Sequence, residues 1–199
     1  MSLTFDPVTH TYTFDGVVVP SVTQGLRQLY DFSMISPDVL ARKAAIGTAV
    51  HAAVDLDLAG ELDEASISPT WAGYLAGWRK FVADTGLTDA DIGIGERPMV
   101  HPTLRFAGTP DRTILIDGKW GVLDLKTTVD LHPAVALQLA AYKELVNVNT
   151  KSLEHLVETR YALQLKSDGG YRLQQYKEKA DWTTFLSLLN VEYWKRKSS

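Results

Sequence analysis

Two carboxylates and an amine, set around one turn signal, are the residues of this chain best suited to chemistry. Between Asp111 and Lys126 the chain reads Asp-Arg-Thr-Ile-Leu-Ile-Asp-Gly-Lys-Trp-Gly-Val-Leu-Asp-Leu-Lys. Asp117-Gly118 is the dipeptide preferred in a two-residue hairpin turn, because both central residues need positive φ. If that turn forms, Ile116 pairs with Lys119, and counting outward sets Asp111 opposite Asp124. Their Cβ atoms would then stand roughly 4.5–5.5 Å apart on one sheet face. Like charges so opposed repel, and a cation between them relieves the repulsion. Two carboxylates suit Mg²⁺, which prefers oxygen ligands. Asp124 and Lys126 are two apart on a strand and share a face, so the ammonium can reach a water or phosphate beside such an ion. The alternative is an ordinary surface hairpin with solvated polar residues.

A second acid can be placed by the same counting. A turn around His101 to Leu104 would pair Val100 with Arg105 and set Glu96 opposite Thr109, diagonal to Asp111. A solvated strand glutamate is the competing reading.

The elements that must position these residues follow from pattern. Thr11–Phe14 and Val17–Val19 read as strands around Asp15-Gly16, and a helix is expected over Ser21–Tyr30. Ser36-Pro37 starts a helix, with serine as N-cap and proline at the first position, running to Leu58 with Gly60 just beyond. Gly47 lies inside it and costs about 1 kcal/mol relative to alanine. Thr70–Thr85 carries Trp71, Tyr74, Leu75, Trp78 and Phe81 at helical spacing, a core stripe. Ile92–Val100, Leu104–Ile116 and Lys119–Thr127 read as three strands, Pro133–Asn147 as a helix, Leu156–Lys166 and Tyr171–Tyr176 as two strands, and Asp181–Lys195 as a last helix. This order predicts one α/β (α+β) domain over residues 1–199, with a central mixed sheet flanked by helices.

Composition narrows the chemistry. The chain has 199 residues, 45% of them hydrophobic and 22% charged, as in soluble globular proteins. There is no cysteine, which excludes iron–sulfur clusters and thiolate zinc sites. No apolar run approaches the ~18 residues of a membrane span, and the N-terminus lacks a signal-peptide pattern; a cytoplasmic protein is expected. The net charge of −4 does not mark a nucleic-acid binder, but a carboxylate metal site adds negative charge that bound cations offset. Lys195-Arg196-Lys197 reads as a solvated helix end suited to the helix dipole, with a DNA contact as the alternative.

Four segments together resemble the RecB-like, Cas4-like exonuclease branch of the PD-(D/E)xK nuclease superfamily. They are Gly47-Thr48-Ala49-Val50-His51, Gly108-Thr109-Pro110-Asp111-Arg112, Asp124-Leu125-Lys126-Thr127-Thr128 and Gln138-Leu139-Ala140-Ala141-Tyr142. They occur in family order over about half the chain. Phe5-Asp6-Pro7 and Val19-Pro20-Ser21-Val22-Thr23 are similar to stand-alone phage or prophage members. The resemblance implies a restriction-endonuclease-like core and Mg²⁺-dependent cleavage of DNA, most simply by an exonuclease of recombination, repair or phage DNA processing. A structure-specific or restriction-like endonuclease and a non-catalytic DNA-binding member are the alternatives.

The resemblance also implies roles. Asp111, Asp124, the Leu125 carbonyl and His51 would hold the ion, and an imidazole ligand makes Mn²⁺ an effective substitute. Lys126 would orient the attacking water or stabilise the growing charge, and Glu96 corresponds to an upstream acid. Gln138 and Tyr142 would contact DNA or hold the lysine and metal shell. Arg112 would grip a phosphate or pair with an acid, and Thr127 would contact substrate or simply end a strand. Several relatives carry four cysteines for an iron–sulfur cluster, and this chain has none. It also has no G-x-x-x-x-G-K-[ST] loop. Any unwinding would fall to a helicase partner, and a single-strand annealing or recombination protein is a further expected partner; an oligomer is compatible with the sequence.

Overall fold

A computed structural model describes residues 2–93 and 95–198. The chain opens with an antiparallel meander, β1 (Leu3–Asp6), β2 (Thr11–Phe14) and β3 (Val17–Val19). Then come α1 (Val22–Leu26), α2 (Pro37–Ala59) and α3 (Ala72–Thr85). A five-stranded mixed sheet follows, built from β4 (Ile92–Gly93), β7 (Arg112–Ile116), β8 (Lys119–Lys126), β9 (Thr159–Leu165) and β10 (Tyr171–Gln175) in the order β10-β9-β8-β7-β4. A separate pair, β5 (Met99–Val100) and β6 (Ala107–Gly108), is tied to the N-terminal meander where the Ala107 amide donates to the Pro20 carbonyl at 2.9 Å. The helices α4 (Ala134–Asn149) and α5 (Ala180–Lys197) complete the chain.

The sheet separates two apolar layers, as expected of helices packed on both faces. On one side Val122 and Ala162 pack with Val22, Leu139, Leu145 and Phe185 of α1, α4 and α5. On the other, Leu123, Leu125 and Leu163 pack with Val54 of α2 and with Trp78 and Phe81 of α3. β8 is the central strand, antiparallel to β7 and parallel to β9. A strand covered on both faces is normally a continuous apolar run. Asp124 and Lys126 break that rule in β8, on the face that α4 covers.

The Asp-Gly hairpin forms as expected. Asp117 and Gly118 have φ of 51° and 71°, the two left-handed residues of a type I′ turn. The pairing runs from Ile116↔Lys119 to Arg112↔Leu123, in the register counted from the turn. α2 runs from Pro37 to Ala59, with the Ser36 hydroxyl capping its start and left-handed Gly60 closing its end.

Three expectations need correction. The turn after β5 is two residues wider than counted: Val100 pairs with Ala107, not Arg105. Arg105, in that turn, has a φ of 54°, and its guanidinium reaches the Phe14 carbonyl and lies over the Phe14 ring. Glu96 accordingly does not oppose Thr109 in a ladder; it sits in a bend before β5. The spans read as Ile92–Val100 and Leu104–Ile116 are each interrupted, with Pro98 and Pro110 at the breaks, where proline has no N–H to give a ladder. Ile94, inside the first span, lies outside the described residues. The helix expected over Ser21–Tyr30 is α for only one turn, then passes into a 3₁₀ turn at Arg27–Leu29.

Candidate metal centre

Asp111 stands one residue before β7, against the C-terminal end of β8. Its Oδ2 accepts a hydrogen bond from the Leu125 amide at 2.7 Å. Asp111 and Asp124 are 7% and 1% exposed. Both therefore reside where a lone charge is expensive. Burial and the neighbouring Asp124 charge push the Asp111 carboxyl up to about 7.

On the α4 side the groups close on one another. The Lys126 ammonium is 2.5 Å from Asp124 Oδ2 and donates to Gln138 Oε1 at 3.2 Å. The Gln138 amide nitrogen donates to Asp124 Oδ1 at 3.2 Å and to the Tyr142 hydroxyl at 3.1 Å. Gln138 and Tyr142 meet because they are one helical turn apart on the buried face of α4. Burial opposes the Lys126 charge, but Asp124 and Asp111 outweigh it and raise its pKa. Tyr142 is held well above the usual tyrosine range by burial and by the same two acids.

On the α2 side the arrangement is open. Val50, Ala53 and Val54 bury one face of α2 against Leu123 and Leu125 of the sheet, and this delivers His51 to the strand end. His51 Nδ1 is 2.7 Å from Glu96 Oε1 and 3.7 Å from Asp111 Oδ2, while Nε2 is 3.3 Å from the Leu125 carbonyl. Burial disfavours the imidazolium, but the Glu96 hydrogen bond and the charges of Asp111, Glu96 and Asp124 prevail and lift its pKa to about 9. The hydrogen bond from His51 holds Glu96 below its ordinary value. Ligand atoms of His51, Glu96 and Asp111 all lie within 4.8 Å of one another.

The donor set fits a divalent cation. Among the described residues, Asp124 Oδ2 is one of two buried side-chain polar atoms without an aligned hydrogen-bond partner, since the nearby ammonium lies off the hydrogen-bonding direction. Such an oxygen calls for an explanation, and an ion is one. The protonated imidazole carries positive charge at the place where Asp111 and the Leu125 carbonyl converge. Oxygen donors with one imidazole are compatible with a divalent cation. The absence of cysteine excludes an iron–sulfur cluster.

Of the residues singled out in the sequence, His51, Glu96, Asp111, Asp124, Leu125, Lys126, Gln138 and Tyr142 come together. Arg112 does not join them. It is buried, its guanidinium is paired with Asp55 of α2, and it lies over the Trp78 ring at 5.5 Å, the acid pairing that was one of its two readings. Thr127 lines a neighbouring groove with Thr128 rather than the acids' own cleft. Two contributors went unread. Asp55 lies four residues after His51 and shares its cleft, a spacing that could have flagged it. Tyr12, from the meander, hydrogen-bonds Thr109 at 2.8 Å and steadies the segment leading to Asp111; no local pattern marks it.

No protein-family model matches the chain, and no curated protein matches it. Among solved structures, the chain is similar to a provisionally named exonuclease from Eubacterium rectale, at 12% identity and a TM-score of 0.47. The match covers 73% of this chain and 64% of that one. No helix among the described residues is long and apolar enough to cross a membrane.

Proposed function

We propose that this chain is a divalent-metal-dependent nuclease that hydrolyses DNA phosphodiester bonds, working from ends. One observation carries the reading: two buried acids, an amine and an imidazole converge at the C-terminal end of one central strand, with one acid oxygen in contact with the amine but without an aligned hydrogen bond. The four-segment resemblance points the same way. Asp111, Asp124, the Leu125 carbonyl and His51 would hold Mg²⁺, with Mn²⁺ as substitute. When bound, the ion would polarise the scissile phosphate and lower the pKa of a water.

The protein's own groups supply the rest. Lys126 holds a fixed positive charge where the phosphate gains negative charge, the kind of preorganised stabilisation that dominates such reactions. Gln138 fixes both Lys126 and Asp124, and Tyr142 fixes Gln138. Glu96 holds Nδ1 of His51 and so leaves Nε2 to face the strand end, the usual role of an acid behind an imidazole ligand. Placement on a strand and two helices gives the site its rigidity. The protein would act in the cytoplasm on DNA, with a helicase or annealing protein supplying single strands where needed.

End-labelled linear DNA and closed-circular DNA, each with Mg²⁺ or Mn²⁺, test the reading. Metal-dependent loss of the linear substrate, a spared circle and no cleavage by Lys126→Ala are expected. A Lys126→Ala protein that degrades DNA at the parental rate refutes the assignment, and cutting of the circle refutes the preference for ends.

A further inference from the structure

A second cavity of about 650 Å³ opens beside the acids and is unexplained by them. Thr127 and Thr128, which directly follow Lys126, form one wall. The first half of α2 and the segment before it form another, with Phe32, Ile35, Arg42 and Lys43. This half of α2 is almost unpacked, because the helix buries only Val50, Ala53 and Val54, all in its second half. Fixing several exposed helical turns over a groove without a core beneath them brings little stability, so their use lies elsewhere.

Three features of the groove agree on an occupant. First, Tyr30 and Phe32 stack at 5.5 Å with rings 8° from parallel, and Tyr30 also meets His132 at 4.4 Å. Phe32 is 49% exposed, so an apolar ring surface stays in solvent at the end of a ready-made stack. Second, the groove's charged lining is Arg42 and Lys43, with no carboxylate, and neither cation forms an ion pair among the described residues. Third, the groove adjoins the acids' cleft of about 340 Å³, which holds His51, Asp55 and Glu96: Gly47 lines the cleft and its neighbour Thr127 lines the groove. The joint is Gly47, where a Cβ would rest an ordinary 3.7 Å from Thr127 Oγ1. Alanine would fit there and favour the helix by about 1 kcal/mol, yet the position carries no side chain.

The geometry points to a single-strand track: unpaired bases stack on the Tyr30–Phe32 platform, phosphates run past Arg42 and Lys43, and the strand is fed past Thr127 to the acids. Aromatic rings with flanking cations are the chemistry that holds single strands without regard to sequence. A paired base in a duplex has no free face to give a ring, so the track selects unpaired or frayed ends. This deepens the nuclease reading and rests on it for the direction of feed.

The test measures binding apart from cleavage. A short fluorescent oligothymidylate and a blunt duplex of equal length are titrated with the full chain in chelator. The parent should prefer the single strand. Phe32→Ala should weaken single-strand binding about tenfold, the scale of one lost base stack, and Phe32→Trp should restore it. Arg42→Glu with Lys43→Glu should weaken binding and flatten its dependence on salt; both side chains are exposed, so the fold is spared. Trp194→Ala, which removes an exposed indole across the sheet from α2, should change nothing. Equal affinity for duplex and single strand overturns the track, as does parental binding by both groove variants. If the parent cleaves DNA while the groove variants bind normally, the track alone falls. If the variants lose binding but the parent cleaves nothing with any metal, the track stands and the nuclease reading falls.

Discussion

The two flanks of the β8 end are built on different principles. Toward α4, Asp124, Lys126, Gln138 and Tyr142 form a closed chain of contacts in a largely buried layer, each held by the next. Toward α2, His51, Glu96 and Asp111 gather around a space, with the imidazole between the two acids. Burial makes electrostatic interactions strong and leaves little freedom to rearrange. The closed flank is therefore suited to fixing an amine against a reacting group. The open flank is suited to exchanging one cation for another. Under the proposed nuclease reading, the contrast divides catalysis from cation capture at one strand end by what covers each side.

Asp124→Asn should break the comparison most severely, because Asp124 contacts Lys126 and Gln138 on one flank and its charge acts on His51 and Asp111 on the other. The amide keeps the volume and can still meet Gln138, but it removes the anion. Cleavage should fall by roughly a thousandfold or more, and any thermal stabilisation by Mg²⁺ should vanish. The fold itself should survive, because the repulsion that raises Asp111 is removed with the charge. A variant that still gains stability from Mg²⁺ would show that the open flank holds the ion unaided.

Glu96→Ala acts on the open flank alone. It strips the partner that fixes Nδ1 of His51, and loss of such a partner commonly weakens a metal site by about 10–100-fold. The Mg²⁺ concentration needed for half-maximal cleavage should rise accordingly, with most of the rate recovered at high metal. An unchanged metal requirement would remove Glu96 from the site.

The division between flanks was partly legible before any coordinates. Asp117-Gly118 needs two left-handed residues, and few other turns suit that dipeptide, so counting from it brings Asp111 to the end of β8. The bounds of α2 follow equally from Ser36-Pro37 and Gly60, since capping chemistry is local. Glu96 was drawn to the right neighbourhood by the wrong route. Its position follows from a wider turn before β6, where Arg105 contacts Phe14, far away in sequence. Pro98 and Pro110 did carry a local signal, and reading strands through them neglected the missing N–H. The fate of Arg112 turned on Asp55 from another element. The aromatic stack of Tyr30, Phe32 and His132 joins two loops, and no periodicity in either loop announces it.

On the closed flank, Tyr142→Phe sharpens the comparison. The phenol is the last member of the chain, and its hydroxyl accepts a hydrogen bond from the Gln138 amide. Its loss removes one hydrogen bond, worth about 1 kcal/mol, and should slow cleavage by less than about tenfold with no change in metal requirement. A change in metal requirement instead would mean that the two flanks are not separable.

The smallest effect needs no substitution, only a change of pH. His51 is raised from 6.5 to about 9 in the folded protein, so its stabilising charge is complete below the unfolded value and is lost as pH rises through 9. Asp111 is raised to about 7, so the folded state also favours its protonated form, and that advantage fades as pH rises through 7. Both trends make the metal-free protein less stable at pH 8.5 than at pH 6. A bound cation needs the opposite states, an ionised acid and a neutral imidazole, so metal affinity grows over the same interval. The gain in Tm on adding Mg²⁺ should therefore be larger at pH 8.5 than at pH 6, by about 2–4 °C for each kcal/mol involved. Asp124→Asn, lacking the ion, should show the loss of stability with pH but no such growth. A Mg²⁺ gain that is the same at both pH values would mean that His51 and Asp111 release no proton when the ion binds, and the open flank would then not be where it sits.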